Sequence, residues 1–173
     1  QFYLNQYGVT SVQDALLKLD GNEAYVGGPT YMALEEGGNL TLKVSGAIVW
    51  NTDLGVEQIS RILLARERFN TRRLKARSVK IWLDGVIEVH TAALLDPYSD
   101  KEDGTTGKLL IPPKMLSEVI TKLDALDFQI HFHAIGDAAI RASLDAIEIA
   151  RSMNGEKDNR HHISHIQLFN PAD

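Results

Sequence analysis

The stretch Gln129–Asp137 constrains the fold most strongly, because it has the pattern of a buried strand leading directly into a helix. In an extended strand His131 and His133 share one face, while Ile130 and Phe132 share the other. Helical patterns precede and follow the stretch, so we predict a parallel strand that is covered on both faces. Two imidazoles on such a strand need partners, and a metal ion is a common one. The alternative is one hydrogen-bonded core histidine beside one surface histidine.

Strand-like and helix-like segments alternate along the whole chain, which favours a parallel α/β fold. Helices are expected after Asp14, over Thr30–Glu36, after an N-cap at Asp53, from Pro112 and from Asp137. Neither a Gly-x-Gly-x-x-Gly motif nor a P-loop is present, which disfavours a nucleotide-binding doubly wound sheet. The five predicted strands lie near residues 8–14, 40–49 (with Gly46 as a bulge), 79–84, 129–134 and 161–168.

Composition excludes several classes of function. The 173 residues include no cysteine, which removes disulfides, thiolate metal sites and a cysteine nucleophile. A net charge of -5 argues against a nucleic-acid binder, and no apolar run reaches the ~18 residues of a membrane span. The compartment is not fixed, although a cytoplasmic one is favoured. Six basic residues are interpreted as a solvated helix end rather than a nucleic-acid patch: Arg66, Arg68, Arg72, Arg73, Lys75 and Arg77.

The strand Val79–Gly85 carries an unusual lysine. Lys80 shares a face with Trp82 and Asp84, and a buried lysine is costly unless it is neutralised, paired or used. The alternative is a snorkelling lysine that is paired to an acid. An irregular stretch follows as far as about Leu110, and long loops inside compact domains are usually functional or disordered. It carries candidate substrate-contact residues, unless it is a solvated excursion without a role: Glu88, His90, Thr91, Tyr98 and Asp100.

Polar residues occur at the ends of the predicted strands, namely Asp14, Asp84, His133, His165 and Gln167. In a (β/α)8 TIM-type barrel the active site is built from the carboxyl ends of several strands, so this pattern predicts part of such a barrel. Complete barrels need roughly 200 residues or more, and the chain has about five of the eight units.

The sequence resembles the amidohydrolase superfamily of metal-dependent hydrolases, and within it the subgroup that includes N-substituted formamide deformylases. By this resemblance, residues 1–173 form a single partial catalytic barrel domain that corresponds to about strands two to six. Four stretches carry the match: Gly8–Asp14, Val79–Gly85 with Glu88 and Thr91–Ala93, His131–Asp137, and Arg160–His165.

The resemblance implies hydrolysis of amide or other non-peptide C–N bonds of a small-molecule substrate by a metal-activated water. It makes Lys80, His133 and His165 the catalytic residues and metal ligands, with Lys80 as a bridging carbamate. One or two divalent ions are implied, and this donor set favours zinc over iron or manganese. Where the family usually has an acid before the last histidine, this chain has Ser164.

Four further residues are candidates for substrate or outer contacts of the metal site: Asp84, Glu88, Thr91 and His131. Two other classes of function stay open. Lys80 would act as a free amine in a Schiff-base lyase. A non-catalytic binding or assembly fragment would keep only the fold.

The metal site of the family also takes a His-x-His pair from the first barrel strand and an aspartate from the last. Neither is present, so the first strand, the last two strands and any small β-domain are expected to be missing. We therefore expect weak metal binding and no amidase turnover from residues 1–173. Open parallel edges should also make the isolated chain pair with another copy, as a homo-oligomer, or be poorly stable.

Overall fold

The computed structural model describes residues 1–19 and 25–173. They form two compact units, Gln1–Lys80 and Ile81–Asp173, and the boundary falls within the fourth strand. The helices are α1 (Phe2–Gln6), α2 (Gly28–Glu36), α3 (Ile59–Arg68), α4 (Pro113–Ala125) and α5 (Asp137–Asn154). The strands are β1 (Ser11–Leu19), β2 (Tyr25–Val26), β3 (Lys43–Val49), β4 (Leu74–Trp82), β5 (Gln129–Ala134) and β6 (His162–His165).

The first unit contains a sheet with strand order β2-β1-β3-β4. Strands β1, β3 and β4 are parallel, and β2 pairs antiparallel with β1. The register of β3 against β4 shifts between Ser45 and Ala47, which confirms the irregularity predicted at Gly46. A Cβ at Gly46 would collide with the Leu17 side chain of β1, so glycine at this position of β3 makes room for that side chain.

The helix predicted after Asp14 is wrong, because β1 continues to Leu19. Leu17 is 1% exposed and pairs with Ile48 of β3, so burial and strand pairing override the helical propensity of this leucine-rich segment. Asp14 consequently lies within the strand rather than at its end, and the Tyr31 hydroxyl donates to its carboxylate at 2.8 Å. Residues 20–24, which the predicted helix would also have covered, lie outside the described residues.

Two boundaries around α3 also differ from the prediction. A 3₁₀ turn at Val56–Gln58 precedes α3, so Asp53 does not cap it; instead the Asp53 amide donates to the Asn51 side chain. Strand β4 begins at Leu74, five residues before the predicted position at 79, because its alternate residues are buried. Of the six basic residues, Arg66 and Arg68 therefore lie at a helix end, Arg72 and Arg73 in a turn, and Lys75 and Arg77 in a strand.

In the second unit, β5 and β6 follow the last residues of β4 in the sheet, and the Leu83 amide donates to the His133 carbonyl at 3.0 Å. Strands β5 and β6 are parallel, as predicted, and α5 connects them. Both histidines of β5 are buried, with His131 7% and His133 8% exposed, so the alternative of a surface histidine is wrong. The apolar stripe of α4 is fully buried: Leu116, Val119, Ile120 and Leu123. Among the described residues, no helix is both long and apolar enough for a membrane span.

Candidate functional site

Two of the three predicted metal ligands lie side by side in the second unit. His133 is near the end of β5, and His165 is the last residue of β6. Their ring centroids are 4.5 Å apart with an interplanar angle of 65°. His133 is buried and His165 is exposed, so the pair lies where the strands open to solvent.

The hydrogen bond of His133 determines which ring nitrogen is available to a metal. Its Nε2 lies 3.1 Å from the carbonyl oxygen of Gly85. Since a carbonyl can only accept, Nε2 carries the hydrogen, and in the neutral ring the lone pair is on Nδ1. Metal-binding histidines commonly donate their second N–H to a carbonyl or a carboxylate, so the chemistry of His133 fits the predicted role.

The backbone turns sharply at the end of β6. His165 has φ 85° and Ile166 has φ 48°, two successive non-glycine residues in the left-handed region. The Ile166 amide donates to Ala134 at 3.1 Å and the Leu168 amide donates to Ile135 at 3.0 Å, which holds this conformation. Backbone strain of this kind clusters at functional sites, because the surrounding structure must stabilise it.

Asp84 connects the segments around His133 through hydrogen bonds. Its carboxylate is 1% exposed and accepts from the amides of Ala93 at 3.0 Å, Ile135 at 3.1 Å and Gly136 at 2.9 Å. These bonds compensate the cost of burying the charge. The His133 Nε2 lies 3.6 Å away, too far for a hydrogen bond, so Asp84 supports His133 through the backbone amides of Ile135 and Gly136.

Lys80, the third predicted ligand, is the last residue of the first unit and is 4% exposed. Burial lowers its pKa from 10.5 to about 8. A snorkelling lysine would keep its ammonium in water, and this degree of burial argues against that alternative. A pKa near 8 leaves about one tenth of the amine neutral at pH 7, and the neutral amine is the nucleophilic form.

Two of the candidate outer residues of the site, Thr91 and His131, are hydrogen-bonded to other residues of the chain. The Thr91 hydroxyl accepts from the Val86 amide at 2.9 Å, and a Cβ at Gly85 would collide with the Thr91 side chain, so Thr91 closes the turn after β4. His131 Nε2 lies 2.6 Å from the hydroxyl of Ser164, and its ring is 4.2 Å from that of His162. Ser164 therefore contacts His131, as expected for a residue facing away from His165.

Glu88, the remaining candidate, lies in a 3₁₀ turn at Ile87–Val89 and lines a cavity of about 550 Å³. The cavity wall also includes Asp137 and the pair Leu168–Phe169. The length of the loop after Gly85 predicts that it takes part in a functional site. Four of its residues do line the cavity: Glu88, His90, Tyr98 and Asp100. Sequence reasoning missed Asp96, Asp137, Leu168 and Phe169, because they meet only after the chain folds.

Among residues 1–19 and 25–173, no three His, Asp or Glu side chains come together in an arrangement that could hold a metal ion. Zinc in proteins is almost always four-coordinate, so two imidazoles supply only part of a coordination sphere. The donor types fit a divalent metal, and the His133–His165 pair is the part of the predicted set that the second unit brings together.

The chain belongs to the amidohydrolase family, whose model matches residues 3–173. It is 27% identical over 139 residues to the exoenzymes regulatory protein AepA of Pectobacterium carotovorum, covering 80% of this chain and 29% of that protein. It is 34% identical over 85 residues to the putative amidohydrolase YtcJ of Bacillus subtilis, covering 49% of this chain and 16% of that protein. The chain therefore spans less than a third of the length of these relatives.

Two solved structures are similar to this chain, and both are described as uncharacterized metal-dependent hydrolases. The one from Pyrococcus furiosus has a TM-score of 0.68 and 28% identity, covering 87% of this chain and 30% of that structure. The one from Pyrococcus horikoshii has a TM-score of 0.66 and 29% identity, covering 86% and 28%. The fold is part of a TIM-type barrel, and the family and both structures support the class of metal-dependent hydrolases.

Proposed function

We propose that this chain carries metal-ligating residues of a hydrolase that cleaves amide or other non-peptide C–N bonds of small molecules. The His133–His165 pair carries the proposal, because two imidazoles 4.5 Å apart lie at the ends of adjacent parallel strands. Ligand sites of barrel enzymes occupy that end of the strands. The family match over residues 3–173 supports the same reading.

We assign three residues to the metal. His133 would bind through Nδ1, because Nε2 is engaged by Gly85, and His165 would be the second imidazole ligand. Lys80 would contribute as a carbamate: its neutral amine adds to carbon dioxide, forms an N–C bond and releases one proton. The carbamate replaces a buried cation with an anionic oxygen donor, and this donor set favours zinc, with iron or manganese as alternatives. When bound, the metal would polarise the scissile carbonyl and lower the pKa of water.

The surrounding residues of the chain would position the substrate and these ligands. Asp84 fixes the amides of Ala93, Ile135 and Gly136, which holds the end of β5 against the loop that follows β4. Thr91 closes the turn beside Gly85, the residue whose carbonyl orients His133. Rigid support of this kind is what a catalytic group needs to keep its orientation during reaction.

Metal analysis of the purified chain, together with native mass spectrometry, tests the proposal. We expect zinc to bind weakly, a mass increase of one carbon dioxide to map to Lys80, and no amidase turnover by residues 1–173 alone. Weak binding is expected because, among the described residues, no three His, Asp or Glu side chains come together in an arrangement that could hold a metal ion. Failure to bind zinc, iron or manganese at any concentration would contradict the metal site. Robust amidase turnover would contradict the incomplete site.

A Schiff-base lyase is the second candidate, because the lowered pKa of Lys80 also suits a free amine nucleophile. Borohydride reduction in the presence of a carbonyl compound separates the two functions. A trapped adduct at Lys80 in metal-free protein would favour the lyase. No adduct, together with metal binding, would favour the hydrolase. If the chain neither binds metal nor forms an adduct, a non-catalytic binding or assembly role is left.

A further inference from the structure

The cavity of about 550 Å³ in the second unit has the location of a substrate subsite. Its walls come from three separate segments: the loop after β4, Asp137 at the start of α5, and Leu168–Phe169 after β6. Each segment follows the carboxyl end of a strand, and in barrel folds such segments build the ligand site. A volume of this size fits a small organic group.

Part of the cavity lining is apolar. It is formed by side chains that include Leu94, Pro97, Tyr98 and Phe169, and Phe169 is 62% exposed. Exposed aromatic surface facing a cavity is suited to an apolar or aromatic ligand body, because contact would remove both surfaces from water.

The lining also offers hydrogen-bond acceptors. His90 has a left-handed backbone, with φ 57°, and its Nε2 lies 2.8 Å from the Asp100 carboxylate. An ionised carboxylate only accepts, so Nε2 donates and the neutral ring keeps its lone pair on Nδ1. The Tyr98 ring packs edge-on against His90 at 4.8 Å, and its hydroxyl donates to the Ala92 carbonyl at 2.9 Å. The Tyr98 hydroxyl therefore has no hydrogen left to donate to a ligand.

The charge of the lining is of one sign. It includes four carboxylates, Glu88, Asp96, Asp100 and Asp137, and no lysine or arginine. Asp100 is bonded to His90, and Asp137 accepts from the amides of Leu95 and Ala138 at 2.9 Å each. Glu88 and Asp96 are exposed residues of the lining, which leaves their carboxylates accessible to a ligand. A negative lining favours a cation and rejects an anion.

We propose that this cavity binds the part of the substrate that carries a basic nitrogen, an ammonium or amidinium group on an apolar, preferably aromatic, body. This inference rests on the proposed hydrolase function, because only that function makes the ligand a substrate. The preference for a cationic ligand does not itself require a metal. Glu88 and Asp96 would pair with the cation, while Tyr98, Leu168 and Phe169 would cover the apolar body.

Three matched probes test this preference: benzylamine, which is cationic; benzyl alcohol, which is neutral; and benzoate, which is anionic. Ligand-observed NMR titrations of the 173-residue chain, with and without zinc, should rank benzylamine tightest and benzoate weakest. Glu88→Gln and Asp96→Asn should each weaken benzylamine about 2–5-fold, the range for solvent-exposed charge pairs, and leave benzyl alcohol unchanged. The benzylamine affinity should also fall as salt is added.

The matched control is Glu102→Gln, which makes the same charge change on the same loop at an exposed residue outside the cavity lining. It should leave all three affinities unchanged, and thermal unfolding should show that every variant is folded. Equal affinity for the three probes, no binding of benzylamine, or an equal loss in Glu102→Gln would overturn the proposal. Because the preference for benzylamine is measured with and without zinc, it can be tested even if the proposed metal site is wrong.

Discussion

Strands β5 and β6 carry two pairs of neighbouring histidines that differ in their surroundings. The rings of His131 and His162 are 4.2 Å apart, and His131 contacts the hydroxyl of Ser164 at 2.6 Å. The rings of His133 and His165 are 4.5 Å apart, but His133 contacts a backbone carbonyl and His165 has a left-handed backbone. In the first, inner pair, the contacts of His131 are a serine hydroxyl and a neighbouring imidazole ring. The second, outer pair, His133 and His165, lies at the end of β6, where the backbone is strained. Its contacts fit the chemistry of a metal site.

The two histidines of β5 share a face and a degree of burial but not their contacts. Both histidines of β5 are on one face and are buried to the same extent, 7% and 8% exposed. They differ in what the neighbouring segments offer: a serine hydroxyl for His131, and for His133 the carbonyl of Gly85 with the Asp84 carboxylate 3.6 Å away. The neighbouring segments therefore give different surroundings to two histidines that lie on the same face of one strand.

The largest effect is expected from removing the support of the outer pair. Asp84→Ala would leave three buried amides without their acceptor, those of Ala93, Ile135 and Gly136. We expect a loss of about 3–5 kcal/mol in the free energy of unfolding, measured by urea titration. Asp145→Ala, at an exposed position of α5, is the control and should change it by less than about 0.5 kcal/mol. Similar effects of the two substitutions would show that Asp84 does not hold this region together.

The next effect is expected at Lys80, where a substitution should raise the free energy of unfolding rather than lower it. Its folded-state pKa of about 8 lies below the unfolded value of 10.5, so below pH 8 the buried cation destabilises the fold. The penalty falls as pH rises from 8 to 10.5, because the native state has then lost a proton that the unfolded state still holds. Lys80→Met in metal-free, carbon dioxide-free buffer should stabilise the chain by up to about 3 kcal/mol at pH 7.

Thermal unfolding from pH 7 to 10.5 checks this prediction, and the advantage of Lys80→Met should disappear over that interval. Lys43→Met, at an exposed residue of β3, is the control and should show no such pH dependence. A constant difference between Lys80→Met and the unchanged chain across this range would contradict the lowered pKa.

A smaller effect is expected at the inner pair. His131→Ala removes the contact with Ser164 and the ring packing against His162, and should cost about 1–2 kcal/mol of unfolding free energy. Ser164→Ala, which removes only the hydroxyl, should cost less than His131→Ala. If neither substitution lowers the urea midpoint, the inner pair is not a stabilising core contact.

Local patterns predicted the second unit well. The alternation in β5 and the stripe of α4 each lie within one segment, so the residues that bury one another can be read from their spacing. The first unit was harder, because Leu17 is held in a strand by Ile48, some thirty positions away. The approach of His165 to His133, the left-handed backbone at Ile166 and the cavity walls depend on contacts between segments. No local pattern encodes those contacts.

The most direct test of the central claim is zinc titration of the chain with one histidine of β5 changed at a time, followed by isothermal calorimetry. We expect His133→Gln to weaken zinc binding by at least about 10-fold and His131→Gln to leave it within about 2-fold of the unchanged chain. His165→Gln should match His133→Gln, and circular dichroism should show that each variant is folded. Equal zinc affinity in His133→Gln and His131→Gln would contradict the proposal that His133, and not His131, binds the metal.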